Sequence, residues 1–350
     1  MYPALAVFQA LNAKRSDIEI LWVGGENGME AELVKRAGLP YTSIPAAGLH
    51  GVGLRALPRN LTQLARGVLY SQKILRDFHP DVLFFTGGYV AGAMAFAGRR
   101  VPTLLYVPDI EPGLALKSLA RFADCIAVSA EDSQKYFARK VVVTGYPLRA
   151  DLETWTKNSG RAALNLDANK PVLLVVGGSK GARSINQAVL SQLPALLKTT
   201  QVVHITGQLD WKAVEIARAS LPLAQRKRYQ TYPYLHEEMG AALAAADLVI
   251  ARAGASALGE FTFFGLPAIL VPYPHAWRYQ KVNADYLMQR DAAIIVKDEL
   301  LQSELFKVVT DLIMNPSKRK AMQTAMRSLM RPQAAQAIAE QLLELGGAHK

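Results

Sequence analysis

Short apolar runs rich in β-branched residues alternate with segments of helical periodicity along the whole chain. The alternation forms two sets, separated near residue 150. The runs are residues 18–23, 82–85, 103–107, 125–128 and 140–144, followed by 172–176, 201–206, 248–251, 268–271 and 293–296. Strands that alternate with helices favour parallel sheets covered by helices on both faces. The sequence therefore predicts an α/β protein with two Rossmann-like domains.

The length of 350 residues also favours two domains, because a single hydrophobic core stops growing at about 250–300 residues. The periodicity lapses after Pro147. We place the boundary there, with an N-terminal domain of residues 1–146 and a C-terminal domain of residues 147–350, and leave open whether the last helix returns to the first domain. Ligands of open α/β sheets bind at the carboxyl ends of the strands, so we expect the active site in a cleft between two facing sheets.

The chain begins with a helical pattern instead of a strand. Residues 1–7 are apolar, and Pro3 stands at an early helical position, where proline is tolerated. A doubly wound domain ordinarily places its first strand centrally. Two alternatives stay open: the domain is built around a missing first strand, or the sequence begins late. The second is favoured.

Charge and cysteine content limit the partners and the compartment. The formal net charge of +11 predicts anionic partners, which could be nucleotide phosphates, acidic lipid surfaces or nucleic acid. The lone Cys125 lies in an apolar run and indicates a core residue in a reducing compartment such as the cytoplasm. No run approaches the roughly 20 apolar residues that span a bilayer. No nucleic-acid-binding motif accompanies the charge, so we expect no nucleic-acid partner.

A glycine-rich segment follows the run at 172–176. It contains Gly178 and Ser179 within Gly-Gly-Ser-Lys-Gly-Ala-Arg and leads into a helical pattern. Glycines let backbone N–H groups approach a phosphate, and a helix N-terminus adds partial positive charge. The spacing is not that of a Walker A loop. The segment predicts a phosphate-binding turn, with a purely structural turn as the alternative.

A second strand-to-helix transition carries the candidate residues Arg252, Gly254, Ala255, Ser256 and Glu260. The small residues permit close approach of a diphosphate, and a carboxylate one turn into the helix can accept hydrogen bonds from both ribose hydroxyls. A solvated helix residue is the alternative for the glutamate. The following loop, residues 265–284, is rich in proline and amides and suits sugar hydroxyls.

Together these segments resemble the MurG family of glycosyltransferases, which belong to glycosyltransferase family 28 and have the GT-B fold of two Rossmann-like domains. The resemblance covers nearly the whole chain and includes residues 48–51, 87–92 and 145–149. It implies transfer of N-acetylglucosamine from its UDP form to undecaprenyl-pyrophosphoryl-muramoyl-pentapeptide, that is, conversion of lipid I to lipid II in peptidoglycan synthesis. It further implies a peripheral enzyme at the cytoplasmic face of the bacterial membrane, without a metal or other cofactor.

The resemblance also assigns roles to particular residues. Glu260 corresponds to the ribose-binding carboxylate, Ser179 and Arg149 to groups around the nucleotide and its diphosphate, and Gln280 to an amide that contacts the donor sugar. Residues Tyr234 and Leu235 correspond to the stretch whose backbone reads uracil. On the acceptor side the resemblance implicates Gly87, Gly88 and Tyr89.

Three departures from the family pattern concern the chemistry. The Gly-Gly-Thr-Gly-Gly-His loop that precedes the family's Tyr-Pro-Ala-Leu-like sequence is absent, residues 108–113 replace a His-Glu-Gln-Asn motif, and Ala257 stands where threonine is common. The base candidates are then His50, Asp109 and Glu111. Asp109 could instead cap a turn, and His50 could contact the acceptor diphosphate. A related transferase with another lipid acceptor, or a non-catalytic nucleotide-sugar-binding protein, stays open as an alternative function.

Residues 49–78 combine an apolar stripe with cations at helical spacing. The cations are Arg55, Arg59, Arg66, Lys73 and Arg76. Such a face can dock on an anionic bilayer surface. An ordinary amphipathic helix packed on the sheet is the alternative.

Overall fold

The computed structural model describes residues 1–26, 28, 30–46, 57–139, 141–178, 181–236, 238–275 and 278–347. It divides into two units, the first comprising Met1–Arg149 with Gln333–Lys350 and the second comprising Ala150–Pro332. The predicted His50 and Ser179 lie outside the described residues.

Parallel strands and their connecting helices build both units. The strands are β1 (Trp22–Gly25), β2 (Tyr41–Ile44), β3 (Leu83–Phe85), β4 (Thr103–Val107), β5 (Cys125–Val128), β6 (Val141–Val143), β7 (Val172–Val176), β8 (Gln201–Ile205), β9 (Tyr229–Tyr232), β10 (Leu248–Ala251), β11 (Ala268–Leu270) and β12 (Ala293–Ile295). The helices are α1 (Tyr2–Lys14), α2 (Glu30–Arg36), α3 (Leu57–Phe78), α4 (Tyr89–Ala97), α5 (Leu114–Leu119), α6 (Lys157–Ala163), α7 (Arg183–Thr199), α8 (Trp211–Ser220), α9 (Leu223–Arg226), α10 (Met239–Ala245), α11 (Ala257–Phe264), α12 (Tyr279–Met288), α13 (Leu301–Ile313), α14 (Pro316–Ser328) and α15 (Ala334–Gly347).

The first unit contains two separate parallel sheets, β1-β2 and β3-β4-β5-β6. Consecutive residues of β4 point to opposite faces, as the pleat requires. Leu104 packs with α1 and α15 in one apolar cluster, while Leu105 packs with α4 in another. Both faces of this sheet are therefore covered, which explains the uninterrupted apolar sequence of β4.

The first element of the first unit is α1, and it is followed by β1. The run predicted as a strand at 18–23 was placed too early, since β1 covers Trp22–Gly25. Residues 18–21 are not part of a strand and line a cavity beside the sheet.

The second unit contains one parallel sheet in the order β12-β11-β10-β7-β8-β9. This doubly wound order confirms the predicted fold class. Strands β2 and β9 were not predicted, because Thr42, Ser43, Gln230 and Thr231 interrupt their apolar pattern. Both strands lie at sheet edges, where polar residues are tolerated.

The described helices are all too short or too polar to cross a lipid bilayer.

Candidate functional site

The sheet of the second unit reverses its strand order between β7 and β10. From β7 the chain continues outward through β8 and β9, whereas β10, β11 and β12 extend in the opposite direction. Ligands of such sheets bind at the carboxyl ends of the strands at this switch point. The turn after β7 and the turn after β10 carry the predicted phosphate-binding residues, so the fold brings these two segments to one edge of the sheet.

Glycines shape the turn after β7 in two different ways. A Cβ atom on Gly177 would lie 2.3 Å from the backbone nitrogen of Ala182, and one on Gly181 would lie 2.4 Å from the carbonyl oxygen of Thr206. These two glycines therefore allow the turn to close against its surroundings. Gly178 has a positive φ of 82°, but a Cβ atom there would meet no atom within 4 Å. Its backbone consequently borders space that the described residues leave open.

Helix α7 begins directly after this turn. Its N-cap residue is Ala182, whose side chain makes no capping hydrogen bond. The first N–H groups of a helix have no partner within the helix, and they favour an anion. The turn and the helix start thus provide the geometry of a phosphate site.

Arg252 lies in the turn after β10 and connects several segments of this edge. Its Nη1 donates to the carbonyl oxygen of Val271 at 3.0 Å and to Oδ1 of Asp298 at 2.5 Å, and its Nη2 donates to Oγ of Ser184 at 2.8 Å. The guanidinium also stands 5.2 Å from the ring centre of Tyr273. The Arg252 and Asp298 side chains are only 11% and 20% exposed. Arg252 therefore positions the loops around the predicted donor site.

The segment from Gly254 to Ser256 leads into α11 and leaves room for a ligand. A Cβ atom on Gly254 would meet no atom within 4 Å, and Ala255 and Ser256 are half-buried. Glu260 lies in the first turn of α11 and is half-buried. A carboxylate at this position is stabilised by the helix dipole.

Gln280 and Leu235 lie on neighbouring loops of the same unit. Oε1 of Gln280 accepts a hydrogen bond from the backbone N–H of Tyr273 at 2.9 Å, which ties the loop after β11 to α12. After β9, Leu235 is buried, and the half-buried Tyr234 ring contacts the ring of His236 with a centroid distance of 4.6 Å. These contacts order the loops to which the resemblance assigns the donor sugar and uracil.

A buried polar network under the glycine turn was not predicted from the sequence. Nδ1 of His204 lies 2.8 Å from the Tyr229 hydroxyl, and its Nε2 lies 2.9 Å from Oδ1 of Asn186. Nδ2 of Asn186 donates to the carbonyl oxygen of Thr206, the same atom that limits the space at Gly181. The signal in the sequence was a histidine inside the apolar run at 201–206. Through the Thr206 carbonyl oxygen, the network helps to hold the glycine turn that forms the candidate phosphate site.

We expect this histidine to make the stability of the second unit depend on pH. Burial lowers the pKa of His204 to about 3, with the Asp210 charge opposing the shift. The unfolded chain binds a proton at this histidine near pH 6.5, so stability is fully present above that pH. It should fall between pH 6.5 and 3 by up to about 1.4 kcal/mol per pH unit.

Chemical denaturation at several pH values measures this dependence. Hydrogen exchange of the β8 amides at the same pH values gives a second, local measure. The variant His204→Gln should lose it, whereas the exposed-site control His275→Gln should retain it. Equal pH dependence in His204→Gln and the unchanged protein would contradict the assignment.

The predicted acceptor residues lie at the carboxyl end of β3 in the first unit. Gly87 and Gly88 have positive φ angles of 108° and 93°, and Gly88 is the N-cap of α4. Tyr89, the first residue of that helix, is exposed. A Cβ atom on Gly88 would meet no atom within 4 Å. This turn therefore presents open backbone at a helix N-terminus, as the turn after β7 does.

The two described base candidates differ in environment. Glu111 is buried, and its Oε1 lies 3.5 Å from Nζ of Lys117. Asp109 is half-buried. The Asp109 carboxylate also acts on a neighbouring hydroxyl group. Burial raises the pKa of Tyr106 well above its usual value, and the Tyr146 and Asp109 side chains raise it further. Asp109 is thus the more accessible carboxylate on the segment after β4.

Arg149 belongs to the first unit, whereas the other described residues predicted to bind the donor lie in the second. Its guanidinium carbon stands 4.8 Å from the ring centre of Tyr2. The cation–π contact holds Arg149 against the start of α1.

Both halves of the chain match models of a single enzyme family. Residues 1–128 match the glycosyltransferase family 28 N-terminal domain, and residues 172–342 match the glycosyltransferase family 28 C-terminal domain.

Relatives and a solved structure agree over nearly the full length. The UDP-N-acetylglucosamine–N-acetylmuramyl-(pentapeptide) pyrophosphoryl-undecaprenol N-acetylglucosamine transferase of Roseiflexus sp. is 38% identical, covering 97% of this chain and 91% of the relative. The enzyme of the same name from Desulforamulus reducens is 37% identical, covering 95% and 92%. The crystal structure of Acinetobacter baumannii MurG superposes with a TM-score of 0.73 at 27% identity, covering 98% and 95%. Two matching domain models and full-length relatives above 30% identity confirm the resemblance found in the sequence: this chain is a glycosyltransferase and belongs to glycosyltransferase family 28.

Proposed function

We propose that this chain transfers N-acetylglucosamine from UDP-N-acetylglucosamine to an undecaprenyl-pyrophosphoryl-linked muramoyl-pentapeptide. The observation that carries the proposal is the near full-length match to transferases named for this reaction. The open turns at Gly178 and Gly254, each leading into a helix of the second unit, support it because they suit a diphosphate-linked donor.

In the proposed donor site, four segments of the chain each contact a different part of the nucleotide. The turns after β7 and β10 hold the diphosphate through backbone N–H groups, Glu260 accepts hydrogen bonds from the ribose hydroxyls, and the Tyr234–Leu235 segment faces uracil. Gln280 is already hydrogen-bonded to the Tyr273 backbone, so its position is fixed before a donor sugar arrives. Ser179 belongs to the same proposed site.

The proposed reaction is a direct displacement at the anomeric carbon. The acceptor hydroxyl oxygen forms a bond to that carbon, the bond to the UDP oxygen breaks with inversion, and the hydroxyl proton passes to a base. We assign Asp109 as that base, because Glu111 is buried and paired with Lys117. Helix N-termini stabilise the charge on departing UDP, and we propose no metal or other cofactor. The turn Gly87–Gly88–Tyr89 holds the acceptor diphosphate.

Turnover of labelled UDP-N-acetylglucosamine with a solubilised lipid I analogue tests the proposal. Formation of a disaccharide-linked lipid with release of UDP is the expected result. Transfer to a different lipid-linked saccharide only would favour a related transferase with another acceptor. Binding of UDP without transfer to any acceptor would reject the enzymatic proposal in favour of a nucleotide-sugar-binding protein.

We further propose that helix α3 docks this enzyme on the cytoplasmic surface of the bacterial membrane. Leu61, Leu69 and Tyr70 are exposed on this helix. Arg66 and Lys73 are exposed beside them. Exposed apolar side chains together with cations on one helix suit an anionic bilayer surface. No nucleic-acid partner is proposed.

Removing two α3 cations in the variant Arg66→Gln/Lys73→Gln should weaken binding to phosphatidylglycerol vesicles about thirtyfold, since each basic residue near an anionic surface contributes about 1 kcal/mol. Vesicle sedimentation at fixed ionic strength measures the effect. The control Lys318→Gln/Lys320→Gln removes two exposed cations from the second unit and should leave binding nearly unchanged. Equal losses in the two variants would show that net charge, and not α3, determines binding.

A further inference from the structure

A cavity of the second unit lies at the amino ends of its strands. Its volume is about 440 Å³. It is lined by Asn165, Arg218, Leu223, Arg226, Lys227 and Gln230. These residues come from the loop between α6 and β7, the end of α8, α9 and the start of β9. The turns of the proposed donor site follow β7 and β10, at the carboxyl ends of the same parallel sheet, so a strand length of about 15 Å separates the two places.

Positive charge dominates the lining of this cavity. Arg218, Arg226 and Lys227 supply three cations. The amides of Asn165 and Gln230 supply neutral hydrogen-bonding groups, and no acidic residue is among the described residues that line the cavity. Cations that lie together without a carboxylate repel one another, and an anion among them removes this repulsion. The lining therefore favours an anionic ligand, and three cations suit one with more than a single negative charge.

Two carboxylates on adjoining segments have partners elsewhere. Asp167 lies on the loop between α6 and β7, and its Oδ2 is 2.5 Å from Nζ of Lys170. Glu215 lies on α8, and its Oε1 accepts a hydrogen bond from the Thr231 hydroxyl at 2.6 Å. Among the ion pairs of the described residues, none joins either carboxylate to a cation of the cavity. These carboxylates therefore leave the positive charge of the cavity uncompensated.

Backbone carbonyl groups hold both guanidinium groups in position. Nη2 of Arg226 donates to the carbonyl oxygens of Ala219 and Leu221 at 2.5 and 3.2 Å. These carbonyls lie at the end of α8, where a cation is favourable. Nε of Arg218 donates to the carbonyl oxygen of Tyr229 at 3.0 Å. Each of these contacts uses one nitrogen of a guanidinium, so the other nitrogens can donate to a ligand that enters the cavity.

One nitrogen of the Arg226 guanidinium lacks an acceptor. Its Nε is shielded from solvent, and it makes no hydrogen bond to the described residues. Buried polar groups in folded proteins nearly always have a partner, so an unsatisfied N–H on the wall of a cavity indicates a missing acceptor. Phosphate oxygens form strong, charge-assisted hydrogen bonds with guanidinium groups. A phosphate beside Arg226 would supply the acceptor.

We propose that this cavity binds a compact phosphate-bearing anion, at a site separate from the proposed donor site. Its volume is within the range of ligand pockets, about 300–1,000 Å³. Leu223 forms an apolar wall and is 68% exposed. Two sources carry this chemistry: a soluble phosphate compound, and the phosphate headgroup of a lipid whose apolar part lies against Leu223.

Calorimetric titration with inorganic pyrophosphate tests the site. Saturating UDP fills the proposed donor site, and the ionic strength is held constant because it screens charge. The variant Lys227→Gln should weaken pyrophosphate binding about tenfold, since it removes a hydrogen bond between charged groups. Lys227 is exposed, so the change leaves the core intact. The matched control Lys318→Gln removes an exposed lysine of α14 and should retain the affinity of the unchanged protein.

Failure to bind pyrophosphate in the presence of UDP would overturn the proposal. Equal weakening in the two variants would also overturn it, because the anion would then respond to net charge and not to this cavity. The comparison of Lys227→Gln with Lys318→Gln locates the pyrophosphate site even if UDP does not bind. The outcome is therefore independent of the proposed reaction.

Vesicle sedimentation distinguishes the two sources of phosphate. The vesicles contain phosphatidic acid in phosphatidylcholine, so the phosphate is the charged group that they present. Weaker vesicle binding by Lys227→Gln than by Lys318→Gln would assign the cavity to a lipid headgroup. Equal vesicle binding by the two variants, together with the loss of pyrophosphate affinity in Lys227→Gln, would assign it to a soluble phosphate compound.

Discussion

Replacement of Asp109 by asparagine is expected to lower kcat about a thousandfold, within the range that a positioned general base contributes. Asparagine keeps the shape of the side chain but cannot accept the proton of the acceptor hydroxyl. The affinity for UDP should not change, because Asp109 is not among the residues assigned to the nucleotide. Steady-state kinetics with saturating donor measures kcat, and calorimetric titration with UDP measures the affinity.

The variant Glu111→Gln is the matched control for the Asp109 assignment. It removes a carboxylate two residues away and leaves Lys117 without its ion-pair partner. Loss of this ion pair, of which only the Glu111 side chain is buried, should lower the stability of the first unit. The folded fraction should retain kcat within about tenfold of the unchanged enzyme. Asp109→Asn with more than a tenth of normal kcat would contradict the assignment. A folded Glu111→Gln protein without activity would transfer the role of base to Glu111.

The architecture of this chain could be read from its apolar periodicity because most strands are covered on both faces. The runs at 103–107 and 172–176 match β4 and β7 residue for residue, since these two interior strands are covered on both faces and are almost wholly apolar. The edge strands β2 and β9 escaped prediction because exposure allows Thr42 and Thr231 in their sequences. Periodicity thus reports burial more directly than it reports strand pairing.

The candidate site was predictable only where a backbone conformation requires a particular residue. Gly178 and Gly181 have positive φ angles, as do Gly87 and Gly88, and such angles leave few alternatives to glycine. The roles of Arg252 and Glu111 were not predictable in the same way. Their partners, Asp298 and Lys117, are set by tertiary packing, and the spacing of Arg252 and Asp298 in sequence does not reveal their contact.

Replacement of Glu260 by alanine is expected to weaken UDP binding about a hundredfold. Two hydrogen bonds from ribose hydroxyls to a carboxylate contribute about 3 kcal/mol together, on the scale of 1.5–3 kcal/mol for each hydrogen bond to a charged group. Calorimetric titration with UDP measures the loss. The control Glu304→Ala removes an exposed carboxylate from the first turn of α13, so it reproduces the change in helix-dipole energy without touching the proposed site.

A nucleotide without its 2′-hydroxyl separates ribose recognition from a general effect on the fold. The unchanged enzyme should bind 2′-deoxy-UDP about tenfold more weakly than UDP, because one of the two hydrogen bonds is lost. Glu260→Ala should bind both nucleotides with similar Kd values, since the carboxylate that distinguishes them is gone. The four Kd values form a double-mutant cycle, which gives the interaction free energy between Glu260 and the 2′-hydroxyl. Equal discrimination by both proteins would show that Glu260 does not hold the ribose, even if its replacement weakens binding.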